Sequence, residues 1–490
     1  MFATDDREVR TWPSVMSCCW VQPLASRRPA SMRPRSVFIW AIALGSKVVL
    51  HRSGPQSLNS MAYEGYGNAV NGLSILLPIA CRHQRRQVQS IQRVVVVVTV
   101  SGRQLYRGPH RARHHLSGGH MKRSLIVDTH ASSCFFRTSI AGEGRKALVQ
   151  ITERCNLHCG HCFVSSGDWG EHMPAEAIIS RVIPRLKAAG VERLTLTGGE
   201  PFVHPEIMVI CRAVRAAGLP LAICTNATST TDEQIAELVA LGGVHINVSF
   251  DGFRPESHGK FRGSQSSFET TVETTRKFAS AGLLQGLLST PNALAASEEF
   301  AELCAFAADV GARYVLMNPL SAFGRGIATK ARLAADDERM RAIAAVTARF
   351  DSPGMQTVRI RFPNDDKPLG GCDAGKIVYV FADGQVGVCP YLVFAARNPL
   401  SRHEVSEFLV GNIFSDAADV PAALDAYRFH DRYRVGDNPT CGSCAMNAQC
   451  GKGCPAAVIA AGEHIGAVDS EQCPVVQPSR RALPLEVVRR

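Results

Sequence analysis

Cys155, Cys159 and Cys162, spaced C-x3-C-x2-C in TERCNLHCGHCF, are three thiols that one short loop can present to an iron–sulfur cluster. A cubane has four irons, so three thiolates leave one iron without a protein ligand and open to chemistry. Four thiolates would favour electron transfer or a structural zinc. The same spacing also suits a zinc loop that borrows a fourth ligand, or buried thiols that only pack.

Downstream, LTLTGGEP ends an apolar, strand-like run on Gly198, Gly199, Glu200 and Pro201. The glycine pair lets the backbone approach a ligand closely and offers it N–H groups. Taken with the cysteine loop, this motif resembles the radical S-adenosylmethionine (radical SAM) family. The resemblance implies that the open iron chelates the amino and carboxylate groups of SAM and that the GGE strand end touches the amino group. It further implies that the reduced cluster splits SAM into methionine and a 5′-deoxyadenosyl radical, which abstracts a substrate hydrogen. His161 stands where the family usually sets an aromatic ring over the adenine; on its own it reads equally as a loop histidine.

The elements that must position these residues alternate in period. Strand-like runs are Ala147–Thr152, Leu194–Thr197, Leu221–Thr225, Ile246–Phe250, Gly286–Thr290 and Tyr314–Met317. Amphipathic segments follow them at Ala175–Ala189, Ile207–Ala217, Asp232–Leu241, Phe268–Ala281, Glu298–Val310 and Glu338–Phe350. Such alternation predicts an α/β fold with a parallel sheet covered by helices. Pro174 suits a first helical turn, Thr231 with Gln234 a capping box, and Gly190, Gly218 and Gly282 helix ends. Six units match the family's partial (β/α)6 TIM-like barrel, whose ligands sit at the C-terminal strand ends.

Candidates for SAM contacts at those ends are Asn226, Ser249, Asp251 and Arg262. In resembling enzymes the serine meets the ribose hydroxyls and the arginine the methionine carboxylate, a role its two-pronged guanidinium suits. The sixth strand ends in NPLSAFGRG, where the family often carries a Gly-Arg loop facing substrate.

A second array comprises Cys372, Cys389, Cys441, Cys444, Cys450, Cys454 and Cys473, with Gly384 five residues before Cys389. It matches the seven-cysteine SPASM pattern of radical SAM maturases; a pair of zinc ribbons is the plainer reading. The resemblance implies a small cysteine-rich SPASM domain with two auxiliary 4Fe–4S clusters. Cys441, Cys444, Cys450 and Cys473 would hold the outer one, and Cys372, Cys389 and Cys454 the one nearer the substrate. Sulfatase maturases supply a further cysteine just before the first of these, where this chain has only Asp365 and Asp366. The expectation is therefore a three-cysteine cluster whose last site is open or filled by a carboxylate. Cys134, Cys211, Cys224 and Cys304 fit no ligand pattern, and Cys211 and Cys304 read as packing residues. Sulfatase maturases also place a proton-accepting aspartate after the second cysteine. Pro390 stands there and cannot transfer a proton, which argues against formylglycine formation. Tyr391, Asp373 and His258 are the proton-transfer candidates.

Charge separates the N-terminal segment from the rest. The chain has 54 Lys+Arg and 43 Asp+Glu, a net +11, yet residues 1–120 hold 16 basic and 4 acidic residues and so carry the whole excess. That segment lacks sustained periodicity, a signal-peptide order and any apolar run long enough to span a bilayer. It reads either as a disordered basic arm that seeks nucleic acid or as translated upstream DNA preceding a start at Met121. Its arginine-rich, lysine-poor composition favours the second. N-terminal sequencing of the native protein is expected to begin at Met121, and a peptide from further upstream overturns this.

The expected organisation is an extension over 1–120, a lead-in over 121–145, the barrel over 146–350, the SPASM domain over 351–475 and a tail over 476–490. The lead-in is too short for the winged-helix domain that binds leader peptides in some maturases, which points to a separate leader-binding protein. Labile clusters and reduced thiols point to the cytoplasm, with no membrane or nucleic-acid partner. SAM cleavage implies a low-potential reductase such as flavodoxin or ferredoxin. The expected function is hydrogen abstraction from a ribosomally made peptide, leading to a crosslink, oxidation, decarboxylation or epimerisation. A dehydrogenase or epimerase acting on an aminocyclitol, sugar or nucleoside precursor is the alternative, and a non-catalytic metal-binding protein the distant one.

Overall fold

The computed structural model describes residues 130–135 and 144–476, together with the backbone of five short strands nearer the N-terminus. Those strands belong to a separate unit, residues 1–118. Phe38–Leu44, Lys47–Ser53 and Met61–Glu64 form one antiparallel sheet there, and Leu73–Pro78 pairs with Arg93–Val98. Most of the expected lead-in (121–129 and 136–143) and the tail from 477 lie outside the described residues.

Residues 119–490 are a second compact unit built on one ten-stranded sheet. Its six central strands are Arg145–Thr152, Val191–Gly198, Leu221–Thr225, Val244–Ser249, Leu284–Ser289 and Tyr314–Met317, all parallel and in chain order. These are the expected strands, two or three residues longer in places. The first runs buried from Ala147 through Thr152, as a parallel strand covered on both faces must. The expected helices follow them, each within a residue or so at its ends except the first and last. The last is helical over Asp337–Thr347 and tightens into a single 3-10 turn at Ala348–Phe350. Thr231 and Gln234 exchange both capping-box bonds, 3.3 and 3.0 Å. Pro174 caps its helix rather than opening it.

The segment expected as one helix over Ala175–Ala189 is interrupted by a π turn at Ile178–Val182. Pro184 explains this: a proline in mid-helix has no N–H to donate and pushes on the preceding turn, and one wide turn absorbs both defects.

The sheet continues past the barrel at both edges. Gln356–Arg359 adds a seventh parallel strand beside Tyr314–Met317. At the opposite edge Ile377–Val380, from within the cysteine-rich region, pairs in parallel with Lys146–Val149. It is followed by antiparallel Gln385–Gly387 and Leu409–Asn412. Gly384 makes the hairpin turn at φ +85°, where a side chain would collide with Asn412 and Phe414. The glycine of the cysteine pattern therefore shapes the turn that delivers Cys389. Among the described residues no helix is long and apolar enough to cross a membrane.

Candidate active site

The loop after the first strand carries Cys155, Cys159 and Cys162, and three other elements hold it. Gly160 N–H donates to Phe261 O at 3.0 Å. Arg325 donates its backbone N–H to Cys162 O at 3.0 Å and its Nε to Cys159 O at 2.8 Å, while Thr329 Oγ1 reaches Gly160 O at 2.8 Å. The Gly-Arg loop thus clamps the cysteine loop.

The GGEP segment supports the loop from the other side. Gly199 N–H donates to Thr152 O and Glu200 N–H to Arg154 O, both at 2.9 Å. The expectation that these N–H groups meet a ligand is therefore corrected: they bind the chain's own backbone. A Cβ on Gly199 would drive into the Arg154 carbonyl, so the glycine is set by loop contact. Gly199→Ala is expected to displace the cysteine loop and to cost at least the ~1–3 kcal/mol typical of overpacking. Chemical denaturation together with the iron content after reconstitution checks this.

Glu200 is buried and already bonded. It accepts from Thr225 Oγ1 and Asn226 N–H, each at 2.7 Å, and from Phe202 N–H at 3.1 Å. Burial raises its pKa, opposed by these donors. Pro201 opens the short turn that follows. Asn226 Nδ2 donates to Asn156 Oδ1 at 2.9 Å and lies 3.9 Å from Cys155 Sγ. Asn226 therefore braces the cysteine loop. Ser249 ends the fourth strand, half-buried.

Arg262 sits in the loop's shadow, 2.8 Å from Asp251 Oδ2 and 4.0 Å from Cys159 Sγ. Asp251 is committed to the protein as well: its Oδ1 accepts from Thr290 N–H at 2.7 Å, and its carboxylate is 1% exposed. Burial opposes ionisation of Asp251, yet Arg262 holds its pKa below the ordinary value. His161 stacks on Phe261 (4.5 Å, 9°), and burial lowers its pKa to about 4.

His258, a proton-transfer candidate, is fully buried among Phe250 and Phe268, and its Nδ1 accepts from Asp251 N–H at 3.2 Å. It is a packing histidine. Burial lowers its pKa to about 3, so the folded state keeps it neutral while the unfolded chain takes up a proton near pH 6.5. The unfolded state then binds more protons below that pH, so acid destabilises. The His258 contribution is expected to fall by up to ~1.4 kcal/mol per pH unit between about 6.5 and the folded value. Denaturation curves of the parent and of His258→Phe at pH 7 and pH 5 check it, the variant showing the shallower fall.

The second array converges in part. Cys372, Cys389 and Cys454 line one cavity together with Asp373 and Tyr391. Cys389 and Cys454 each cap a helix whose first residue is proline, Pro390–Ala396 and Pro455–Ala460. That explains Pro390 structurally, since the first helical N–H needs no partner. Tyr391 stacks on Phe135 (4.9 Å) and lies 6.1 Å from Phe163, next to the cysteine loop. Asp365 instead pairs with Arg341 at the surface, and Asp366 is exposed. Neither is a cavity ligand. Cys134, read from sequence as fitting no pattern, lines the same cavity; its only sequence signal was being a cysteine. Cys211 and Cys304 are wholly buried in helices, and Cys224 lies in the third strand.

The donor chemistry suits clusters. Cys155, Cys372, Cys389, Cys444 and Cys450 each accept a backbone N–H from the residue two further on, the bond that stabilises a thiolate. Leu369 N–H adds a second bond to Cys450 Sγ at 3.3 Å, and Asn438 fixes Cys441 by capping its helix. Cys473 N–H donates to Asp469 O at 2.9 Å. Burial pushes the Cys155 thiol up to about 11 and Cys159 to about 12, so loading metal must displace protons. Among the described residues no three His, Cys, Asp or Glu side chains converge as one ion requires. A cubane takes each thiolate on a different iron, so its ligands need not converge.

Residues 149–292 match the Radical SAM superfamily. The AdoMet-dependent heme synthase of Methanosarcina barkeri is 37% identical over 134 residues, 26% of this chain and 38% of that protein. The mycofactocin maturase MftC of Mycobacterium tuberculosis is 27% identical over 334 residues, 66% of this chain and 81% of the maturase. Streptococcus suis SuiB, in the crystal structure bound to precursor peptide SuiA, has a TM-score of 0.51 and 16% identity, covering 66% of this chain and 75% of SuiB. The chain therefore spans about two fifths of the heme synthase but most of the maturase.

Proposed function

We propose, on the premise that the chain is a radical SAM enzyme, that it matures a ribosomally made peptide by abstracting a hydrogen from it. The observation that carries this is the likeness to a peptide maturase over a stretch longer than the barrel itself. When bound, a 4Fe–4S cluster with SAM supplies the 5′-deoxyadenosyl radical. Cys155, Cys159 and Cys162 would hold that cluster. Gly199, Glu200 and Asn226 keep its loop in place, while the Gly198–Pro201 strand end, Asn226, Ser249 and Arg262 are the groups offered to SAM. Cys372, Cys389 and Cys454 would hold one auxiliary cluster, and Cys441, Cys444, Cys450 and Cys473 the other. The protein's own work is to bind, to orient and to keep water from the radical. A cytoplasmic setting, a flavodoxin or ferredoxin donor and a separate leader-binding protein complete the proposal.

Anaerobic reconstitution with SAM and dithionite is expected to yield 5′-deoxyadenosine, and Cys159→Ala to reduce it to the enzyme-free background. Incubation with short peptides encoded beside the gene is expected to change the mass of one of them. Deoxyadenosine without any altered peptide overturns the peptide reading. Zinc in place of iron, with no cleavage, overturns the radical chemistry.

A further inference from the structure

We propose that Cys134 is the fourth protein ligand of the first auxiliary cluster, so that this cluster has no vacant iron. The proposal rests on the reading of Cys372, Cys389 and Cys454 as ligands. All four cysteines line one cavity, and the Cys134 and Cys454 thiols are hydrogen-bonded to each other.

The backbone brings Cys134 there by design of the lead-in. Ala131 bridges in parallel to Leu369, three residues before Cys372. Ala131 N–H donates to Pro368 O at 2.8 Å, and Gly370 N–H to Ala131 O at 3.0 Å. Ser133 Oγ accepts from Gly370 N–H at 3.2 Å. The lead-in and the segment entering Cys372 therefore run side by side.

Arg361 fastens both flanks of Cys134. Its N–H donates to Ser132 O at 2.7 Å, its guanidinium reaches Ser133 O at 3.2 Å, and the same group lies 5.0 Å from the centre of the Phe135 ring. Its partner Asp469 accepts from Cys454 N–H at 3.0 Å. One buried ion pair thus positions the two hydrogen-bonded cysteines, although they are far apart in the chain.

The competing ligands are placed elsewhere. Asp365 is exposed and paired with Arg341, and Asp366 is exposed. Asp373 lines the cavity but is itself exposed, so it stands at the rim. With four thiolates the cluster has no iron to offer a substrate. Its role is then to pass electrons, and substrate must be held by the protein.

The test uses the full chain carrying Cys155→Ala, Cys159→Ala and Cys162→Ala, which removes the ligands of the SAM cluster and keeps those of the auxiliary clusters. Reconstituted anaerobically, this parent is expected to bind about eight irons, two 4Fe–4S clusters. Mild ferricyanide oxidation removes an iron that lacks a thiolate and leaves a 3Fe–4S cluster with a distinctive paramagnetic resonance signal. Adding Cys134→Ala is expected to raise that signal roughly tenfold over the parent. Cys134→Val, which is close in size and has no atom to offer iron, gives the same reading should the alanine variant not fold, with circular dichroism reporting the fold. Equal signals in parent and variants overturn Cys134 as a ligand while leaving the auxiliary clusters standing. A parent that binds no iron overturns the auxiliary clusters themselves and the ligand with them.

Discussion

Asp251→Asn is expected to destabilise the protein by about 3–5 kcal/mol, the usual consequence of removing one partner of a buried ion pair. The substitution keeps the shape and an oxygen for Thr290 N–H, but leaves Arg262, 7% exposed, without a counter-charge. The pH dependence carries a sign. Asp251 titrates below its ordinary value in the folded state, so its contribution is full above the unfolded carboxylate pKa, about 3.9, and fades as pH falls through the folded value. The gap between parent and variant should therefore close in acid. The variant also tests whether Arg262 serves SAM. If it receives the methionine carboxylate, SAM restores the missing charge, and the thermal shift on adding SAM to the reconstituted protein is larger in Asp251→Asn than in the parent. Equal shifts would make the pair purely structural.

Sequence periodicity carried the barrel because its strands are short, largely apolar runs and its helices amphipathic stretches. The edge strands Gln356–Arg359 and Ile377–Val380 escaped notice because they stand outside the alternation of strand and helix, and the second pairs with a strand more than 200 residues away. The two cysteine arrays were legible because their short, fixed spacings lie within local stretches of chain. Cys134 was not, since its partners lie more than 200 residues downstream and no local spacing records that. The glycine pair at Gly198–Gly199 was found for a sound reason, close backbone approach, but assigned to the wrong neighbour. A sequence shows that something must come near; only the fold shows that it is the Arg154 carbonyl. Asp251 and Arg262 read as separate SAM candidates, because the pairing that buries them depends on tertiary packing.

Arg361→Met is expected to lower stability by about 3–5 kcal/mol, and Arg361→Met with Asp469→Leu to recover most of that loss. Both side chains of this pair are 1% exposed and meet through two bonds, 2.6 and 2.7 Å. Arg361 also holds a positive φ of 50°, a strained backbone for a non-glycine residue, which the surrounding bonds must sustain. The single variant strands the Asp469 carboxylate in the interior; the double removes both charges and refills the space. Iron should not follow stability. The double variant still lacks the guanidinium on Ser133 O and the carboxylate on Cys454 N–H, so both cysteines beside the pair lose their anchors. Denaturation midpoints near the parent's, with roughly one cluster's iron missing after reconstitution, are the expected combination. A double variant that regains stability and full iron together would show that the ion pair stabilises the fold but does not position the cysteines.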